Sequence, residues 1–273
     1  LKKLLNTMNE GVFIPIRLSS ERLPQKSLKL INDEPVLYHM FNRILKSQSI
    51  DSKKKIVVCT TQEIEDDSLE KIVTEYGANV FRGSKNDIIK RFYDANKIFN
   101  FKKILLIDGD DPLIFPEHID RVIDEHDKGE FDCIYTSNLP FGLNIKSVSS
   151  DALKEVCNNY LSKTNDTGFG LYFTDTNIVN SKKINDFKFH KLLSTARLTL
   201  DYQEDFELIK NIIIDLYSDN NSDYSFKTFE KYIIQNPKML DINLFRQNQN
   251  IQRSQLKVNL KYKNKDKIFK IIY

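Results

Sequence analysis

The sequence predicts an α/β protein with a Rossmann-like fold, in which a mostly parallel central sheet is flanked by helices and carries an inserted region. Short apolar runs rich in β-branched residues alternate with amphipathic stretches, as expected of crossover units. The run at residues 55–60 is apolar along most of its length, which is typical of a strand covered on both faces. Two unusual polar loops directly follow predicted strands, at the edge where parallel sheets bind their ligands.

The elements of the first half alternate regularly. Strands are predicted at residues 11–16, 55–60, 80–81, 103–107 and 132–136, and helices at residues 35–47, 65–76, 87–99 and 116–126. The crossover connections between these strands predict that they lie parallel in one sheet.

The second half is less regular. Apart from a helix at about residues 150–161, we interpret residues 141–196 as an insertion that forms an acceptor pocket or a dimer contact. A strand at residues 197–200 and helices at residues 204–217 and 226–234 follow. These elements place one domain at residues 9–235 and leave a tail at residues 236–273, for which a hairpin and partial disorder are the alternatives.

Composition excludes several classes of protein. The 41 basic and 38 acidic residues give a net charge of +3, which is too small to indicate nucleic acid as the main partner. The three cysteines have no metal-ligand spacing, so we expect reduced thiols and neither a disulfide framework nor a zinc site. No apolar run is long enough to cross a membrane, and no signal peptide is recognisable. We therefore expect a cytoplasmic protein without a nucleic-acid or membrane partner.

A cationic loop (residues 17–26) follows the first predicted strand. It carries Arg17, Arg22 and Lys26 together with Ser19 and Ser20. Cations, hydroxyls and backbone N–H groups on one short loop can bind the oxygens of a polyphosphate and offset its charge. A solvated surface loop is the alternative, because charged residues are mostly exposed.

Five segments carry a family resemblance. They are residues 17–26 (Arg-Leu-Ser-Ser-Glu-Arg-Leu-Pro-Gln-Lys), 81–84 with 87 and 91–93, 109–114, 137–138 with 142–143, and 197–201 with 204–205. In this order they resemble the cytidylyltransferases that activate acidic sugars, which make CMP-KDO and CMP-sialic acid. The similarity is greatest to the type that serves spore coat polysaccharide biosynthesis.

The resemblance implies a nucleotidyltransferase fold and a reaction. CMP would pass from CTP to an acidic sugar or a phosphorylated small molecule, with release of pyrophosphate. The product would serve surface polysaccharide biosynthesis, such as that of a capsule, or a related pathway. The resemblance also implies Mg²⁺ as cofactor and a homodimer.

The same resemblance implies roles for individual residues. Arg22 and Lys26 would hold the β- and γ-phosphates and Arg17 would lie nearer the α-phosphate, which makes these three the expected catalytic residues. Asp110 and Asp201 match the two positions that bind the metal. The expected nucleotide-binding residues are Pro15, Leu18, Ser19, Ser20, Arg82, Ser84, Asp87, Arg91 and Asp110.

Structural alternatives exist for several of these residues. Asp110 could cap the turn that follows it, and Asp201 could be the N-cap of the next helix. Asp87 could open its own helix, and Arg91 could be a surface residue paired with Asp87. Asp108 departs from the neutral residue expected in its place, and so adds negative charge beside Asp110.

The acceptor-binding residues are expected to be Asn138, Asn144, Lys146 and Tyr172. Relatives of the spore coat type tend to carry acidic residues after the turn at residues 140–143, whereas this chain has Asn144 and Lys146 there. A neutral and a cationic residue in place of acids favour an anionic acceptor. Tyr172 lies in residues 166–174, which depart from the family's pattern.

Two other functions are alternatives. Asp108-Gly109-Asp110 is an Asp-x-Asp sequence at a strand end, which metal-dependent nucleotide-sugar glycosyltransferases use to hold a diphosphate. The cationic loop favours nucleotidyl transfer instead, because a nucleotide sugar has no γ-phosphate to neutralise. A catalytically silent nucleotide-binding relative is the second alternative, since the acceptor region is altered.

Overall fold

A seven-stranded sheet forms the centre of the protein. The computed structural model describes residues 9–162, 168–217, 222–247, 259–265 and 267–272. The strand order is β5-β4-β1-β6-β8-β7-β9. The strands are β1 (Glu10–Pro15), β4 (Ile56–Thr61), β5 (Asn79–Gly83), β6 (Lys103–Leu106), β7 (Cys133–Thr136), β8 (Lys146–Ser149) and β9 (Ser181–Ile184). Two short strands, β2 (Leu30–Ile31) and β3 (Glu34–Pro35), pair with each other after the cationic loop.

The sheet is parallel except for β8, which lies antiparallel between β6 and β7. All five strands predicted in the first half are confirmed, and so is the mostly parallel sheet. The prediction missed β8 and β9, because each has only one apolar residue in four, Val148 and Ile184. Their place in the sheet comes from backbone pairing with neighbours and not from an apolar pattern of their own.

The predicted strand at residues 197–200 is wrong. Among the described residues, the only pairing of this segment is an isolated parallel bridge between Phe141 and Arg197. The segment is nevertheless buried, and its Leu200 N–H donates to the carbonyl of Asp110 at 2.7 Å. Its apolar pattern therefore reflects burial beneath the acidic loop (residues 108–111) and not membership of the sheet.

Eight helices are assigned in the described part of the chain. They are α1 (Val36–Ile44), α2 (Asp67–Tyr76), α3 (Ile88–Phe99), α4 (Pro116–Asp127), α5 (Ser150–Asn159), α6 (Leu171–Thr174), α7 (Gln203–Tyr217) and α8 (Phe226–Gln235). The predicted helices are confirmed, with ends that differ by a few residues. None of these helices combines the length and the apolar character needed to span a bilayer.

Both faces of the sheet are covered, as β1 shows. Val12 and Ile14 pack in one apolar cluster with α1, α2 and α4, whereas Phe13 packs on the other face with α3 and α5. Successive side chains of a strand point to opposite faces, so each of these three needs an apolar partner. The continuous apolar runs in the sequence follow from this double burial.

The end of the tail forms a C-terminal hairpin, as one of the two alternatives for residues 236–273 predicted. Its strands are β10 (Asn259–Asn264) and β11 (Lys267–Ile272), which pair antiparallel. Residues 248–258, also in the predicted tail, and residues 163–167 of the predicted insertion lie outside the described residues. The predicted domain limit at residue 235 stays a prediction, and beyond it Leu240 packs in the same apolar cluster as α7 and α8.

Candidate active site

A glycine brings the acidic loop against the end of β1. A Cβ atom on Gly109 would lie 2.5 Å from the carbonyl oxygen of Pro15 and equally close to the side chain of Ile16. Real Cβ atoms do not approach a carbonyl oxygen so closely, so only glycine allows this contact. The loop after β6 therefore meets the loop after β1, and Asp110 comes to lie opposite Lys26.

Lys26 lies between two carboxylates that are distant in sequence. Its Nζ is 3.0 Å from Asp110 Oδ2 and 3.0 Å from Asp201 Oδ1. The guanidinium of Arg22 lies 2.5 Å from the same oxygen of Asp201. The Lys26 side chain is only 15% exposed, so a solvated surface loop, the alternative considered for this segment, does not describe it. The structure thus brings Arg22 and Lys26, two of the three predicted cations, together with both predicted metal ligands.

The pKa values of this cluster follow from burial and charge. Burial of Lys26 works against its charge, but Asp110 and Asp201 outweigh it and raise the lysine pKa above its ordinary value. Burial of Asp201 likewise opposes ionisation, yet Lys26, Arg22 and Arg197 lower its pKa. Both groups are therefore charged at neutral pH.

A second layer of buried groups holds Asp201 from behind. Arg197, whose side chain is fully buried, reaches Asp201 Oδ2 at 3.2 Å and both carboxylate oxygens of Asp205 at 2.9 and 3.0 Å. Asn243 donates to Asp205 at 2.8 Å and to the Arg197 carbonyl at 2.9 Å. This layer fixes the side chain of Asp201 on the side away from Lys26.

Asp205, and not Asp201, serves the start of α7. Its Oδ2 accepts the backbone N–H groups of Asp201 and Tyr202, both at 2.9 Å. The alternative that Asp201 acts as N-cap is therefore wrong, because its oxygens are taken by Arg22, Lys26 and Arg197. The sequence pattern Arg197–Asp201–Asp205, with three residues between successive members, was visible, but it gave no sign that the three side chains would bond to one another in the interior.

The other carboxylates of the acidic loop carry raised pKa values. Burial and the neighbouring carboxylates, Asp110 first, raise the pKa of Asp111 well above its ordinary value. Burial also raises the pKa of Asp108, although Lys146 works in the opposite direction. Asp110 adds to this rise of the Asp108 pKa, whereas Lys26, like Lys146, opposes it.

Asp66 anchors the cationic loop, and sequence reasoning missed it. It is 1% exposed and accepts the Leu18 N–H at 2.8 Å and the Thr60 hydroxyl at 2.7 Å. Its burial raises the pKa, but the hydrogen bonds from Thr61, Leu18 and Thr60 outweigh burial and lower it. A carboxylate that ties the loop to the end of β4 explains how Leu18 becomes buried.

The remaining loop residues are placed around this anchor. Leu18 is buried, Pro15, Arg17 and Ser20 are half-buried, and Ser19 is exposed. Their predicted contacts with nucleotide stay predictions.

The residues expected to shape the base pocket are engaged within the protein. Arg82 forms ion pairs with Asp67 at 2.6 Å and Glu70 at 2.8 Å. Arg91 is 2% exposed and donates to the backbone carbonyls of Cys59, Ser84 and Lys85, at 3.1, 2.8 and 3.0 Å. The alternative that Arg91 is a surface residue paired with Asp87 is therefore wrong.

Asp87 opens α3, as its structural alternative predicted. Its side chain accepts the Lys90 N–H at 2.9 Å and also the hydroxyl of Tyr160. Ser84 contributes its carbonyl to Arg91, and its side chain is half-buried. Nucleotide binding by these residues stays a prediction.

The four expected acceptor residues do not share one location. Lys146 lies opposite Leu106 in the β6–β8 ladder, at the strand end that leads into the acidic loop. Asn144 hydrogen bonds to Thr136 and to the carbonyl of Leu139. Lys146 therefore lies at the sheet edge next to the acidic loop, with its ammonium against Gly170, whereas Asn144 is bound between Thr136 and Leu139.

Asn138 and Tyr172 occupy different surroundings. Asn138 donates to the Phe187 carbonyl at 2.9 Å, and its buried side-chain oxygen has no hydrogen-bond partner in the described structure. Tyr172 is 1% exposed, and its hydroxyl contacts Ser162 at 2.7 Å and the backbone of Lys261. This position gives no support to an acceptor contact by Tyr172.

The carboxylate pair suits a hard divalent cation. Asp110 Oδ2 and Asp201 Oδ1 face a single position that the Lys26 ammonium, itself a cation, takes in this structure. Mg²⁺ prefers such oxygen ligands and usually binds one or two carboxylates while keeping several waters. Within the described residues, no group of three or more His, Cys, Asp or Glu side chains forms a richer metal site.

A sequence model of the family described as cytidylyltransferase matches residues 12–251. The chain is 35% identical over 150 residues to an uncharacterised protein of Methanocaldococcus jannaschii, a match that covers 55% of this chain and 60% of that protein. It is 29% identical over 208 residues to 3-deoxy-manno-octulosonate cytidylyltransferase 2 of Hydrogenovibrio crunogenus, covering 74% of this chain and 79% of that protein.

Two further comparisons agree. The spore coat polysaccharide biosynthesis protein SpsF of Bacillus subtilis is 27% identical over 206 residues, covering 74% of this chain and 86% of that protein. The solved structure of a cytidylyltransferase from Leptospira borgpetersenii serovar Hardjo-bovis superposes with a TM-score of 0.74 at 28% identity. That match covers 85% of this chain and 97% of the other.

Proposed function

The chain belongs to the cytidylyltransferase family, and we propose that it transfers CMP from CTP to a small anionic acceptor with release of pyrophosphate. The observation that carries this proposal is the position of Lys26, whose Nζ lies 3.0 Å from both Asp110 and Asp201. A loop cation facing two carboxylates provides both halves of a triphosphate site, the cations for phosphate oxygens and the carboxylates for a metal.

The proposed reaction is a displacement at the α-phosphorus of CTP. An oxygen of the acceptor attacks, a new P–O bond forms, and the bond to the β-phosphate oxygen breaks, so that pyrophosphate leaves. Arg22 and Lys26 would hold the β- and γ-phosphates and stabilise the negative charge that the leaving group gains. Arg17, at the start of the same loop, would lie nearer the α-phosphate.

Binding of CTP requires an exchange of ion pairs. Arg22 and Lys26 now neutralise Asp201 and Asp110, so they must turn towards the phosphates when the nucleotide enters. Asp110 and Asp201, left without these cations, would hold Mg²⁺, which when bound would act as a Lewis acid. Arg197 and Asp205 hold Asp201 in place during this exchange, because both are fully buried and bonded to each other.

Lys146 supports an anionic acceptor. It lies at the end of β8, beside the acidic loop and close enough to Asp108 to oppose the rise of that carboxyl's pKa. A cation here can bind a carboxylate or phosphate of the acceptor and hold its reactive oxygen near the α-phosphorus.

The names of two relatives point to the same class of acceptor. One is a 3-deoxy-manno-octulosonate cytidylyltransferase and another acts in spore coat polysaccharide biosynthesis. We therefore propose an acidic sugar as the first acceptor to test and surface polysaccharide biosynthesis, including that of a capsule, as the purpose. Action in the cytoplasm as a Mg²⁺-dependent homodimer is proposed on the same resemblance.

The test is pyrophosphate release with each nucleoside triphosphate in turn. Reactions would contain Mg²⁺ and a panel of acidic sugars and phosphorylated small molecules, and EDTA would remove the metal in a parallel series. We expect turnover that depends on CTP, on an anionic acceptor and on Mg²⁺, with activity restored when Mg²⁺ exceeds EDTA. Light scattering after size exclusion would measure the mass of the oligomer.

Two outcomes would contradict the proposal. Hydrolysis of a nucleotide sugar without turnover of any triphosphate would indicate glycosyl transfer. Tight binding of CTP without turnover across the whole panel would indicate the silent relative.

A further inference from the structure

The C-terminal hairpin (β10 and β11) has an inward face and an outward face. Leu260 lies opposite Ile271 and Tyr262 opposite Phe269, and Leu260 and Tyr262 are only 2% and 6% exposed. Because successive residues of a strand point to opposite faces, their neighbours point away from the protein. This outward face consists of Asn259, Lys261, Lys263, Ile268, Lys270 and Ile272.

The outward face is unfavourable for the hairpin alone. Lys261 lies directly opposite Lys270, and like charges in directly opposed positions destabilise a two-stranded sheet. Ile268 and Ile272, on the same face, are 65% and 69% exposed. None of its six residues is acidic. A surface that combines repelling lysines with exposed isoleucines indicates a partner that is both anionic and apolar.

The body of the protein holds the hairpin in a fixed orientation. The Leu161 N–H donates to the Lys261 carbonyl at 2.7 Å, and the Lys261 N–H reaches the Tyr172 hydroxyl at 3.1 Å. The Asn264 side chain donates to the Asn177 carbonyl at 3.1 Å. These contacts use backbone groups and inward side chains, and the side chains of Lys261, Ile268, Lys270 and Ile272 are exposed among the described residues.

We propose that the outward face of the C-terminal hairpin docks on the surface of an anionic lipid bilayer. The lysines would lie at the phosphate headgroups, and Ile268 and Ile272 would enter the interfacial region. The face has no aromatic side chain or arginine on which nucleic-acid bases could stack, which disfavours single-stranded nucleic acid. A second copy of the face would add lysines to lysines, which disfavours self-association.

The sequence by itself predicted no membrane partner, and the register explains why. Lysines and isoleucines occur at irregular intervals along residues 259–272. Only the pairing of β10 with β11 shows which of them lie on the same face of the hairpin. Contact of this kind is peripheral and needs no membrane-spanning segment.

Vesicle sedimentation with the full chain tests the proposal. Vesicles of phosphatidylglycerol and phosphatidylcholine in equal amounts are compared with vesicles of phosphatidylcholine alone. We expect binding to the anionic vesicles that falls with added NaCl, and no measurable binding to the neutral ones. Replacing two lysines in K261Q/K270Q should weaken binding about thirtyfold, since each lysine near an anionic surface contributes about fivefold.

Two further variants separate the contributions. I268S/I272S should weaken binding about tenfold or more, because it removes the apolar contact but keeps every charge. K71Q/K210Q, at exposed positions on α2 and α7, makes the same change of charge elsewhere and should stay within about twofold of the unmodified protein. Pyrophosphate release from CTP provides the check that each variant is folded, because the hairpin side chains take no part in the proposed reaction.

Several results would overturn the proposal. Equal binding to neutral and anionic vesicles would contradict it. A hairpin variant that binds anionic vesicles as well as the unmodified chain would also contradict it. Binding to an RNA homopolymer but not to vesicles would assign the face to nucleic acid, and a halved particle mass in K261Q/K270Q would assign it to a second copy.

Discussion

Lys26 and Asp201 form a largely buried ion pair, with 3.0 Å between Nζ and Oδ1 and side chains that are 15% and 6% exposed. The pair joins the loop after β1 to the start of α7, across 175 positions of the sequence. It brings the main phosphate ligand and a metal ligand of the proposed reaction into direct contact. Asp201 is therefore already paired with cations, Lys26 and Arg22, before any nucleotide binds.

Removal of the Lys26 charge should reduce turnover strongly. In K26Q we expect kcat/KM for CTP to fall by about 10²- to 10³-fold, because one preorganised cation is lost from the leaving phosphates. Steady-state pyrophosphate release measures this effect. K54Q, at an exposed position before β4, should retain full activity. A K26Q enzyme within threefold of the unmodified one would remove Lys26 from the phosphate site.

Asp205 should position Asp201 through Arg197. In D205N the fully buried guanidinium loses its bidentate ionic partner, so the free energy of unfolding should fall by about 3 kcal/mol. Urea titration followed by circular dichroism measures it. Turnover should fall at saturating CTP, and the Mg²⁺ concentration needed for half-maximal rate should rise.

E207Q is the matched control for D205N, because Glu207 is exposed on the same helix. It should change neither the free energy of unfolding nor the Mg²⁺ requirement. A D205N protein that loses stability but keeps its Mg²⁺ requirement would show that Asp205 is structural only.

His118 should make the fold sensitive to acid. Burial, with a smaller contribution from Arg43, lowers its pKa in the folded protein from 6.5 to about 4. The unfolded chain therefore binds a proton at higher pH than the folded one, so stability is lost as the pH falls from about 6.5 towards 4. In H118F, which suits the surrounding rings of Phe115, Phe187 and Phe226, about 3 kcal/mol of this loss should disappear.

Urea titrations at a series of pH values measure the effect of H118F. H190Q, at an exposed histidine, should leave the acid dependence unchanged. If the free energy of unfolding fell equally in H118F and the unmodified protein between pH 6.5 and 4, His118 would bind its proton equally well in the folded and the unfolded protein, which would contradict the prediction.

Gly142 should be required for the path of residues 197–201. Its φ is +97°, and an added Cβ would lie 2.5 Å from the backbone carbon of Leu198. G142A should therefore lose more than the cost of about 1–2 kcal/mol expected for a left-handed backbone alone. G129A is a matched control, since Gly129 has φ of +73° but no atom within 4 Å of the added Cβ. Equal losses of stability in the two variants would exclude the steric contact.

Lys146 should act on the acceptor and not on CTP. Charge reversal in K146E should raise the KM for the acceptor by about tenfold or more, because a cation facing an anion becomes a repelling carboxylate. The KM for CTP should change far less. K183E, on the exposed side of β9, controls for the change in overall charge. Equal increases in both KM values would contradict this role.

Much of the architecture was predictable because burial leaves a pattern in the sequence. Val12, Phe13 and Ile14 are all buried, since β1 is covered on both faces, and the same condition produces the apolar run of β4. Strands β8 and β9 have no apolar run in the sequence, because each has one apolar residue and joins the sheet through backbone pairing with its neighbours.

The site divides in a similar way. Arg22, Lys26, Asp110 and Asp201 lie in loops that follow apolar runs, so the chain order of loops and strands indicates them. Asp66 and Asn243 do not stand out, since their roles depend on partners elsewhere in the fold. Arg197 and Asp205 lie in a segment of the family resemblance, but their bond to each other could not be read from it. The same holds for Arg91, whose charged group is bound to three backbone carbonyls that no sequence pattern indicates.

The sequence by itself determined the α/β class, the parallel strands and the presence of a cationic loop and an acidic loop at strand ends. Those features depend on local periodicity and on the order of elements along the chain, and both can be read from the linear sequence. Only the tertiary structure decided that Lys26 lies between Asp110 and Asp201 and that Arg197 and Asp205 hold Asp201 from behind. It also decided that Lys261, Lys263 and Lys270 share one face of the hairpin. Each of these depends on a distance between residues far apart in sequence or on a strand register, and such quantities exist only once the chain has folded.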